Sequence, residues 1–182
     1  TLYINAVRGQ IADGTAGARY LARISDVTEL NIYDQPLVPL DRERLAHRES
    51  LIAGGKWHDP MFDYATIADA DDIIIAAPYW IWLSGQLKTY IENIYVPGIV
   101  SAYNDHGQPC GLCRARSLTY ITTAGGGTTR GFSFDYLTAM AKEYFGIRET
   151  RLIYAECLDI CGNDPELFCN PQSTKLKGDA DR

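Results

Sequence analysis

Residues 71–94 read DDIIIAAPYWIWLSGQLKTYIENI, and this stretch decides the fold. An uninterrupted apolar run of strand-forming residues ends at Pro78, an aromatic cluster follows, and apolar residues then recur with helical spacing from Leu83 to Ile94. The pattern predicts a strand, an aromatic loop and a helix. Ligands of open α/β sheets bind at the carboxyl ends of the strands, so aromatic rings at this point indicate a flat, conjugated ligand.

Strand-like and helix-like segments alternate along the rest of the chain. Strands are predicted at residues 2–7, 27–33, 73–77, 117–122 and 151–157. Helices are predicted at residues 18–24, 45–52 with Asp41 as cap, 61–70, 83–94 and 134–145, the last ending at Gly146. This alternation predicts a doubly wound α/β fold, with a five-stranded parallel sheet of order 2-1-3-4-5 and helices on both faces. Residues 1–182 are expected to form a single domain whose tail is loose beyond about residue 173.

The composition of the chain argues against nucleic-acid binding and against a membrane span. The chain of 182 residues carries a formal net charge of −6, which leaves no basic field for binding nucleic acid. No segment approaches the roughly 18 consecutive apolar residues of a membrane span. The first residues begin a strand and lack the basic and apolar regions of a signal peptide. We therefore expect a cytoplasmic protein without nucleic-acid or membrane partners.

The five cysteines are expected to be reduced thiols. Their odd number argues against a disulfide framework in a cytoplasmic domain. Cys110 and Cys113 have the spacing of a redox motif, and together with Cys157 and Cys161 they offer four possible metal ligands. The first pair, however, lies in a long connection instead of at the start of a helix. Free thiols are the simpler interpretation, and we expect no metal site.

Other polar residues do not form an evident catalytic set. His47, His58 and His106 have no carboxylate or cysteine partner nearby in the sequence, so each is expected to be a surface or loop histidine. Acidic residues at positions 69, 71 and 72 precede the third strand, at the edge of the sheet opposite the expected crevice. We interpret them as a solvated edge.

The loop after the first strand lacks the glycine fingerprint of dinucleotide-binding domains. It offers instead a cation at Arg8, a hydroxyl at Thr15, and amides at Ala16 and Gly17 at the start of a predicted helix. Backbone N–H groups and the helix dipole bind a single phosphate monoester well at such a place. A helix simply capped by its own side chains is the alternative.

A glycine-rich loop, TTAGGGTT at residues 122–129, follows the fourth strand. Glycine allows close approach of the backbone to a ligand, although an isolated glycine run is more often just a flexible loop. In a sheet of order 2-1-3-4-5, strands one, three and four are neighbours, so the phosphate, aromatic and glycine loops converge. The three loops together predict a crevice with the shape of FMN.

Several segments in this order resemble a known family. They are APYW at 77–80, QLKTYIE at 86–92, GLCR at 111–114, YITTAGG at 120–126, YFGI at 144–147 and YAE at 154–156. The chain resembles the flavodoxin-like NAD(P)H:quinone oxidoreductases, and within them it is most similar to the FMN-dependent NADH-azoreductase branch. The resemblance covers roughly residues 2 to 160.

The resemblance implies a homodimer with FMN near the subunit interface, and hydride transfer from NADH or NADPH through FMN to a quinone, azo or nitro acceptor. The chemistry is borne by the flavin, so no catalytic side chain is implied. Carried over residue by residue, the family's flavin contacts map onto Arg8, Thr15, Ala16 and Gly17 for the phosphate, Pro78, Tyr79, Trp80 and Ile81 for the isoalloxazine ring, and Thr123, Ala124, Gly125 and Gly126 for the second flavin loop.

Two departures from the family pattern stand out. The phosphate loop usually carries several serines, whereas here only Thr15 offers a hydroxyl. The aromatic loop is one residue shorter than usual, with Ile81 and Trp82 where a polar residue is common.

Some alternatives stay open at this stage. A flavin-binding electron carrier or a non-catalytic interaction protein would share the same fold. The aromatic residues after the third strand belong either to a flavin-stacking surface or to a core or dimer surface. Residues 95–116 are longer than a simple connection between two elements needs to be. We expect them to form a hairpin or a lid over the site of the same or the partner subunit.

Overall fold

The computed structural model describes residues 1–7, 26–126 and 131–155. Its strands are β1 Leu2–Asn5, β2 Thr28–Asn31, β3 Asp72–Pro78, β4 Ser101–Tyr103, β5 Pro109–Gly111, β6 Ser117–Thr123 and β7 Glu149–Ala155. Five of them form a parallel sheet in the order β2-β1-β3-β6-β7. Because β6 and β7 are the fourth and fifth strands of this sheet, the predicted order 2-1-3-4-5 is confirmed.

The described helices connect the strands as the sequence predicts. They are α1 Arg42–Ala53, a 3-10 helix Pro60–Asp69, α2 Gly85–Ile94 and α3 Phe132–Ala139, which continues as a π-helical segment Met140–Phe145. The Asp41 carboxylate accepts a hydrogen bond from the Arg44 N–H at 2.8 Å and so caps α1. Gly146 ends the π segment with a φ of +78°, a conformation that glycine adopts without strain. The predicted helix at residues 18–24 and the predicted loose tail lie outside the described residues.

Side chains on both faces of the sheet are buried. Alternate residues of β3, beginning with Ile73 and Ile75, join the larger core that α1, α2, α3 and the 3-10 helix cover. The intervening residues Ile74 and Ala76 join Tyr3 in a smaller cluster on the opposite face. Burial on both faces explains why the β3 sequence is continuously apolar instead of alternating.

Strands β4 and β5 form an antiparallel hairpin between α2 and β6, as expected for residues 95–116. The connection behind it is anchored where strands begin: the Cys113 N–H donates to the Phe145 carbonyl at 3.2 Å, and the Arg114 N–H donates to the Ala68 carbonyl at 3.0 Å. The hairpin therefore lies at the amino edge of the sheet. A lid over the site of the same subunit is wrong, because that site lies at the carboxyl edge.

Tyr90 carries a buried hydroxyl without a hydrogen-bond partner in the described chain. Burial raises the pKa of this phenol, so it remains protonated. We expect Tyr90→Phe to raise the free energy of unfolding by about 1 kcal/mol, because the substitution removes an unsatisfied polar group and keeps the ring. Urea unfolding followed by circular dichroism measures the change. Tyr64→Phe, at a half-buried position, is the control, and a loss of stability in Tyr90→Phe would contradict the prediction.

Candidate functional site

The predicted crevice lies where β3 and β6 end side by side. Pro78 is paired with Thr123 in the parallel register, and the Tyr79 N–H donates to the Thr123 carbonyl at 2.8 Å. Strand β1 ends next to them, since the Ala6 N–H donates to the Ala76 carbonyl at 2.8 Å. The structure thus brings together the ends of the three strands that precede the predicted loops.

Eight of the twelve predicted cofactor contacts are described: Pro78, Tyr79, Trp80, Ile81, Thr123, Ala124, Gly125 and Gly126. The four residues of the predicted phosphate loop, Arg8, Thr15, Ala16 and Gly17, lie outside the described residues. The described part of the site therefore consists of the aromatic loop and the start of the glycine loop.

The aromatic strap, residues 80–82, is exposed although it is apolar. Trp80 is 67% exposed, Ile81 75% and Trp82 46%. None of their backbone N–H groups donates to another group of the described chain. A surface that combines bare rings with three successive unpaired donors is suited to a flat ligand that has hydrogen-bond acceptors along one edge.

The strap is also strained. Ile81 and Trp82 have φ values of +46° and +69°, in the left-handed region that a β-branched residue rarely adopts. The cause is the short span between two fixed ends: Tyr79 is bonded to the Thr123 carbonyl, and Ser84 caps α2 by accepting from the Leu87 N–H. Such residues cost on the order of 1–3 kcal/mol each.

Ile81→Asn is expected to stabilise the protein by about 1 kcal/mol. Asparagine adopts positive φ more readily than isoleucine does, and the isoleucine side chain contributes little packing because it is largely exposed. Thermal unfolding of the flavin-free protein measures the effect. Ile81→Val keeps the β-branch and should leave stability unchanged; equal stability of the asparagine and valine variants would count against the strain.

Trp82 contacts Phe132, the first residue of α3. The two rings meet edge to face, with centroids 5.3 Å apart and planes at 77°. Sequence reasoning missed Phe132, because the helical periodicity was taken to begin at Phe134 and nothing local distinguishes an exposed phenylalanine at a helix start. Its sequence signal is limited to its place three residues after the glycine-rich run 122–129.

The described part of the glycine loop, residues 123–126, begins next to Tyr79 and is open at Gly126. A Cβ atom added to Gly126 would have no heavy atom within 4 Å, and the N–H groups of Gly125 and Gly126 donate to no described group. Ala124 is buried and its N–H donates to the Ala155 carbonyl at 2.8 Å, which fixes the start of the loop on β7. The fixed start distinguishes residues 123–126 from a merely flexible glycine run.

Two hydroxyls lie beneath the crevice, and sequence reasoning did not single them out. Tyr120 and Thr122 share one face of β6 and are buried, and the Tyr120 hydroxyl lies near the hydroxyls of Thr122 and Ser133. Ser133, in the first turn of α3, is buried as well. The glycine loop therefore begins above a polar patch in an otherwise apolar core.

The cysteines behave as structural thiols where they are described. Cys110 is exposed on β5 and Cys113 is half-buried, and both are free. Burial, assisted by the negative charge of Asp69, raises the pKa of the Cys113 thiol to about 12, so it stays protonated near neutral pH. Cys157 and Cys161 lie outside the described residues.

The remaining polar candidates do not form a site. His47, His58 and His106 are exposed, as predicted. Within residues 1–7, 26–126 and 131–155, no group of histidine, cysteine, aspartate or glutamate side chains is arranged to hold a metal ion.

The acidic edge is solvated as predicted, since Asp69 and Asp71 are exposed, and two of its carboxylates are also ion-paired. Asp71 pairs with Arg114 at 2.7 Å and Asp72 with Arg116 at 2.8 Å. Burial alone would raise the pKa of Asp72, but hydrogen bonds from Ser117 and Arg116 outweigh it and lower that pKa. These pairs fasten the segment that precedes β6 to the start of β3.

Helices in the described ranges are too short or too polar to cross a bilayer.

Comparison with known proteins gives a family and close relatives. The family described as having the flavodoxin-like fold matches residues 10–167. An FMN-dependent NADH:quinone oxidoreductase of Clostridium acetobutylicum is 30% identical over 162 residues, which cover 85% of this chain and 80% of the relative. A protein of the same name from Coprothermobacter proteolyticus is 30% identical over 149 residues, 78% of this chain and 73% of the relative.

Solved structures share the fold. An FMN-dependent NADH-azoreductase from Bacillus anthracis, solved in complex with FMN, superposes with a TM-score of 0.71 at 21% identity, covering 91% of this chain and 90% of the other. At this identity the likeness establishes the fold alone. It agrees with the strand order of the sheet.

Proposed function

Since the chain belongs to the flavodoxin-like fold family and to its FMN-dependent NADH:quinone oxidoreductases, we propose that it is an FMN-dependent NAD(P)H oxidoreductase acting on quinone, azo or nitro acceptors. The observation that carries the proposal is that the aromatic strap and residues 123–126 follow the adjacent ends of β3 and β6. This edge, where such folds bind ligands, offers exposed rings, N–H groups without a partner in the described residues, and open space at Gly126.

The residues present fit the flat part of FMN. The Tyr79 and Trp80 rings supply apolar surface for the isoalloxazine ring, while the N–H groups of residues 80–82 and 125–126 supply donors for its carbonyl edge. Arg8, Thr15, Ala16 and Gly17 are proposed to hold the phosphate. When bound, FMN supplies hydride transfer from NADH or NADPH to the acceptor.

The role proposed for the chain's own residues is to bind and orient the flavin. None of them is proposed as a nucleophile or as a proton donor or acceptor. The strap and residues 123–126 would border the flavin ring, and both begin at backbone hydrogen bonds to neighbouring strands, which would hold them in place. The three described histidines and the protonated Cys113 lie elsewhere, so no side chain of the described part is proposed as an acid, base or nucleophile. A cytoplasmic location is part of the proposal and is supported by the acidic composition and by the two described cysteines, Cys110 and Cys113, which are free.

Colour tests the proposal directly. Purified protein reconstituted with FMN is expected to be yellow, to bleach when NADH or NADPH is added under nitrogen, and to regain its colour with a quinone. Bleaching by dithionite alone would favour an electron carrier. Protein that stays colourless after incubation with FMN would refute the proposal, and comparing NADH with NADPH at equal concentrations identifies the preferred donor.

Homodimer formation is proposed as well, with the hairpin of one protomer reaching the crevice of its partner. Tyr103 lies on this hairpin and is 58% exposed, while Tyr95 holds it through a hydroxyl contact of 3.2 Å. Tyr95 in turn packs edge to face on Tyr144. An exposed aromatic side chain held this firmly is suited to contact a second surface.

Tyr103→Ala is expected to raise the KM for quinone about fivefold without changing the affinity for FMN, because it removes one aromatic contact from the acceptor side of the partner's site. Since the hairpin is anchored at the edge opposite its own crevice, such an effect must come from the partner. A mixed dimer of one Tyr103→Ala protomer and one Gly126→Trp protomer gives a further test. The crevice of its Tyr103→Ala protomer faces the unchanged Tyr103 of the other protomer, so that site should keep the normal KM for quinone. An unchanged KM in Tyr103→Ala would refute the contact, and a monomer in sedimentation equilibrium would refute the dimer.

A further inference from the structure

A side-chain hydrogen bond fixes the end of the aromatic strap that leads into α2. Gln86 lies in the first turn of α2, and its side-chain amide donates to the Ile32 carbonyl at 3.2 Å. Ile32 is itself fixed at the end of β1, because its N–H donates to the Asn5 carbonyl at 3.0 Å. At the other end of the strap, the Tyr79 N–H donates to the Thr123 carbonyl of β6. The strap is therefore tied to the sheet on both sides of β3.

The Gln86 bond lies where α2 is otherwise least buried. Gly85 is exposed and Gln86 is half-buried, so Leu87 is the buried residue nearest the start of the helix. The other four buried residues lie between Tyr90 and Ile94. Ser84 caps the helix by accepting from the Leu87 N–H, which orders the first turn but does not tie it to the sheet. The Gln86 amide makes that connection.

The strap needs such an anchor because it is strained. Ile81 and Trp82 have φ values of +46° and +69°. Residues in this region keep their conformation only where the surrounding structure holds them, so a strap released at one end should relax. The bond between Gln86 and the Ile32 carbonyl opposes that movement.

We infer that Gln86 is a positioning residue of the proposed flavin site. This inference rests on the proposed function, in which the strap supplies part of the surface for the isoalloxazine ring. By donating to the Ile32 carbonyl, the Gln86 amide keeps the start of α2, and with it the strained strap, in one place relative to β1 and β3. Gln86 acts through the strap and not by contact with the flavin.

Asn93 provides a matched control on the same face of α2, about two helical turns after Gln86. Its amide donates to the Val38 carbonyl at 3.1 Å and to the Thr89 carbonyl at 2.9 Å. Asn93 is only 4% exposed, so losing its two hydrogen bonds should cost more stability than losing the one made by Gln86. Because Asn93 lies at the end of α2 away from the strap, Asn93→Leu should leave the strap unchanged.

A double-mutant cycle tests the anchor without any cofactor. Ile81→Asn relieves the strain of the strap and is expected to raise the midpoint of thermal unfolding of the original protein. In Gln86→Leu the strap has already relaxed, so adding Ile81→Asn should raise the midpoint by about half as much or less. In Asn93→Leu the full increase should remain. Equal increases in the two backgrounds would overturn the inference, as would an original protein that Ile81→Asn does not stabilise.

Affinity for FMN, measured by quenching of FMN fluorescence, is the second readout. Gln86→Leu is expected to bind FMN about three- to tenfold more weakly than the original protein, within the range that one lost hydrogen bond allows. Gln86→Glu keeps the length of the side chain but cannot donate near neutral pH, so it should weaken binding to a similar extent. Asn93→Leu should bind FMN within about twofold of the original protein.

The outcomes separate the anchor from the proposed function. If the original protein binds FMN and Gln86→Leu binds it equally well, the inference is overturned while the proposed function stands. If Asn93→Leu weakens FMN binding as much as Gln86→Leu does, the effect is a general loss of structure and the inference is overturned as well. If the original protein does not bind FMN, the proposed function falls together with the role of Gln86 in the site. The unfolding cycle then decides whether Gln86 holds the strap.

Discussion

Gly111→Ala is expected to lower the free energy of unfolding by about 3 kcal/mol or more. A Cβ atom at this position would lie 1.9 Å from the Gly146 nitrogen and 2.0 Å from the Phe145 carbonyl carbon, closer than any real contact. Both neighbours are backbone atoms, so no side-chain rotation relieves the overlap, and either β5 or the end of the π segment must move. Urea unfolding followed by circular dichroism measures the loss.

Gly85→Ala is the matched control for this prediction. A Cβ atom there would meet nothing within 4 Å, and Gly85 opens α2, where alanine is the better helix former. We expect its stability to be unchanged or slightly raised. A loss below about 1 kcal/mol in Gly111→Ala would show that the hairpin and the π segment do not touch as closely as described.

Trp80→Ala is expected to weaken FMN binding about tenfold or more and to leave the fold intact. Stacking of an aromatic side chain on a planar base is worth about 1–3 kcal/mol, and an isoalloxazine ring offers at least as large a face. Because Trp80 is 67% exposed, its removal should change the free energy of unfolding by less than about 0.5 kcal/mol. FMN fluorescence titration and thermal unfolding measure the two quantities on the same samples.

Trp57→Ala provides the contrasting control. Trp57 packs against Phe62 and over Gly98 at the amino side of the fold, so its loss should cost stability without touching the crevice. FMN affinity that falls equally in both variants would indicate a general loss of structure. Unchanged affinity in Trp80→Ala would remove this ring from the proposed flavin surface.

Local pattern was enough to predict the elements of the sheet. The apolar run before Pro78 predicted β3, and the helical spacing after it predicted α2, because both signals are contained in consecutive residues. Capping by Asp41 and the left-handed end at Gly146 were predicted for the same reason. The order of strands followed from the alternation of strand and helix, since right-handed crossovers leave few arrangements.

For the site, the sequence predicted which loops lie together, because that follows from the order of the strands. It did not predict how their side chains pack. Placement of residues 78–81 beside 123–126 needed no knowledge of side-chain packing, because parallel neighbours end at the same edge. The edge to which the hairpin is anchored was not predicted, and the ion pairs of Asp71 and Asp72 were not either. Both depend on partners far along the chain, which local sequence patterns do not reveal.

By itself, the sequence of this protein determined a doubly wound sheet, a crevice at the carboxyl edge and a family, because these rest on periodicity and on the order of motifs. Only the tertiary structure decided that the strap is left-handed and strained, that Trp82 meets Phe132, and that Gly111 lies against Gly146. Contacts of this kind arise where distant segments are forced together by the packed sheet and helices. Their geometry is set by the whole fold, and no local run of residues encodes it.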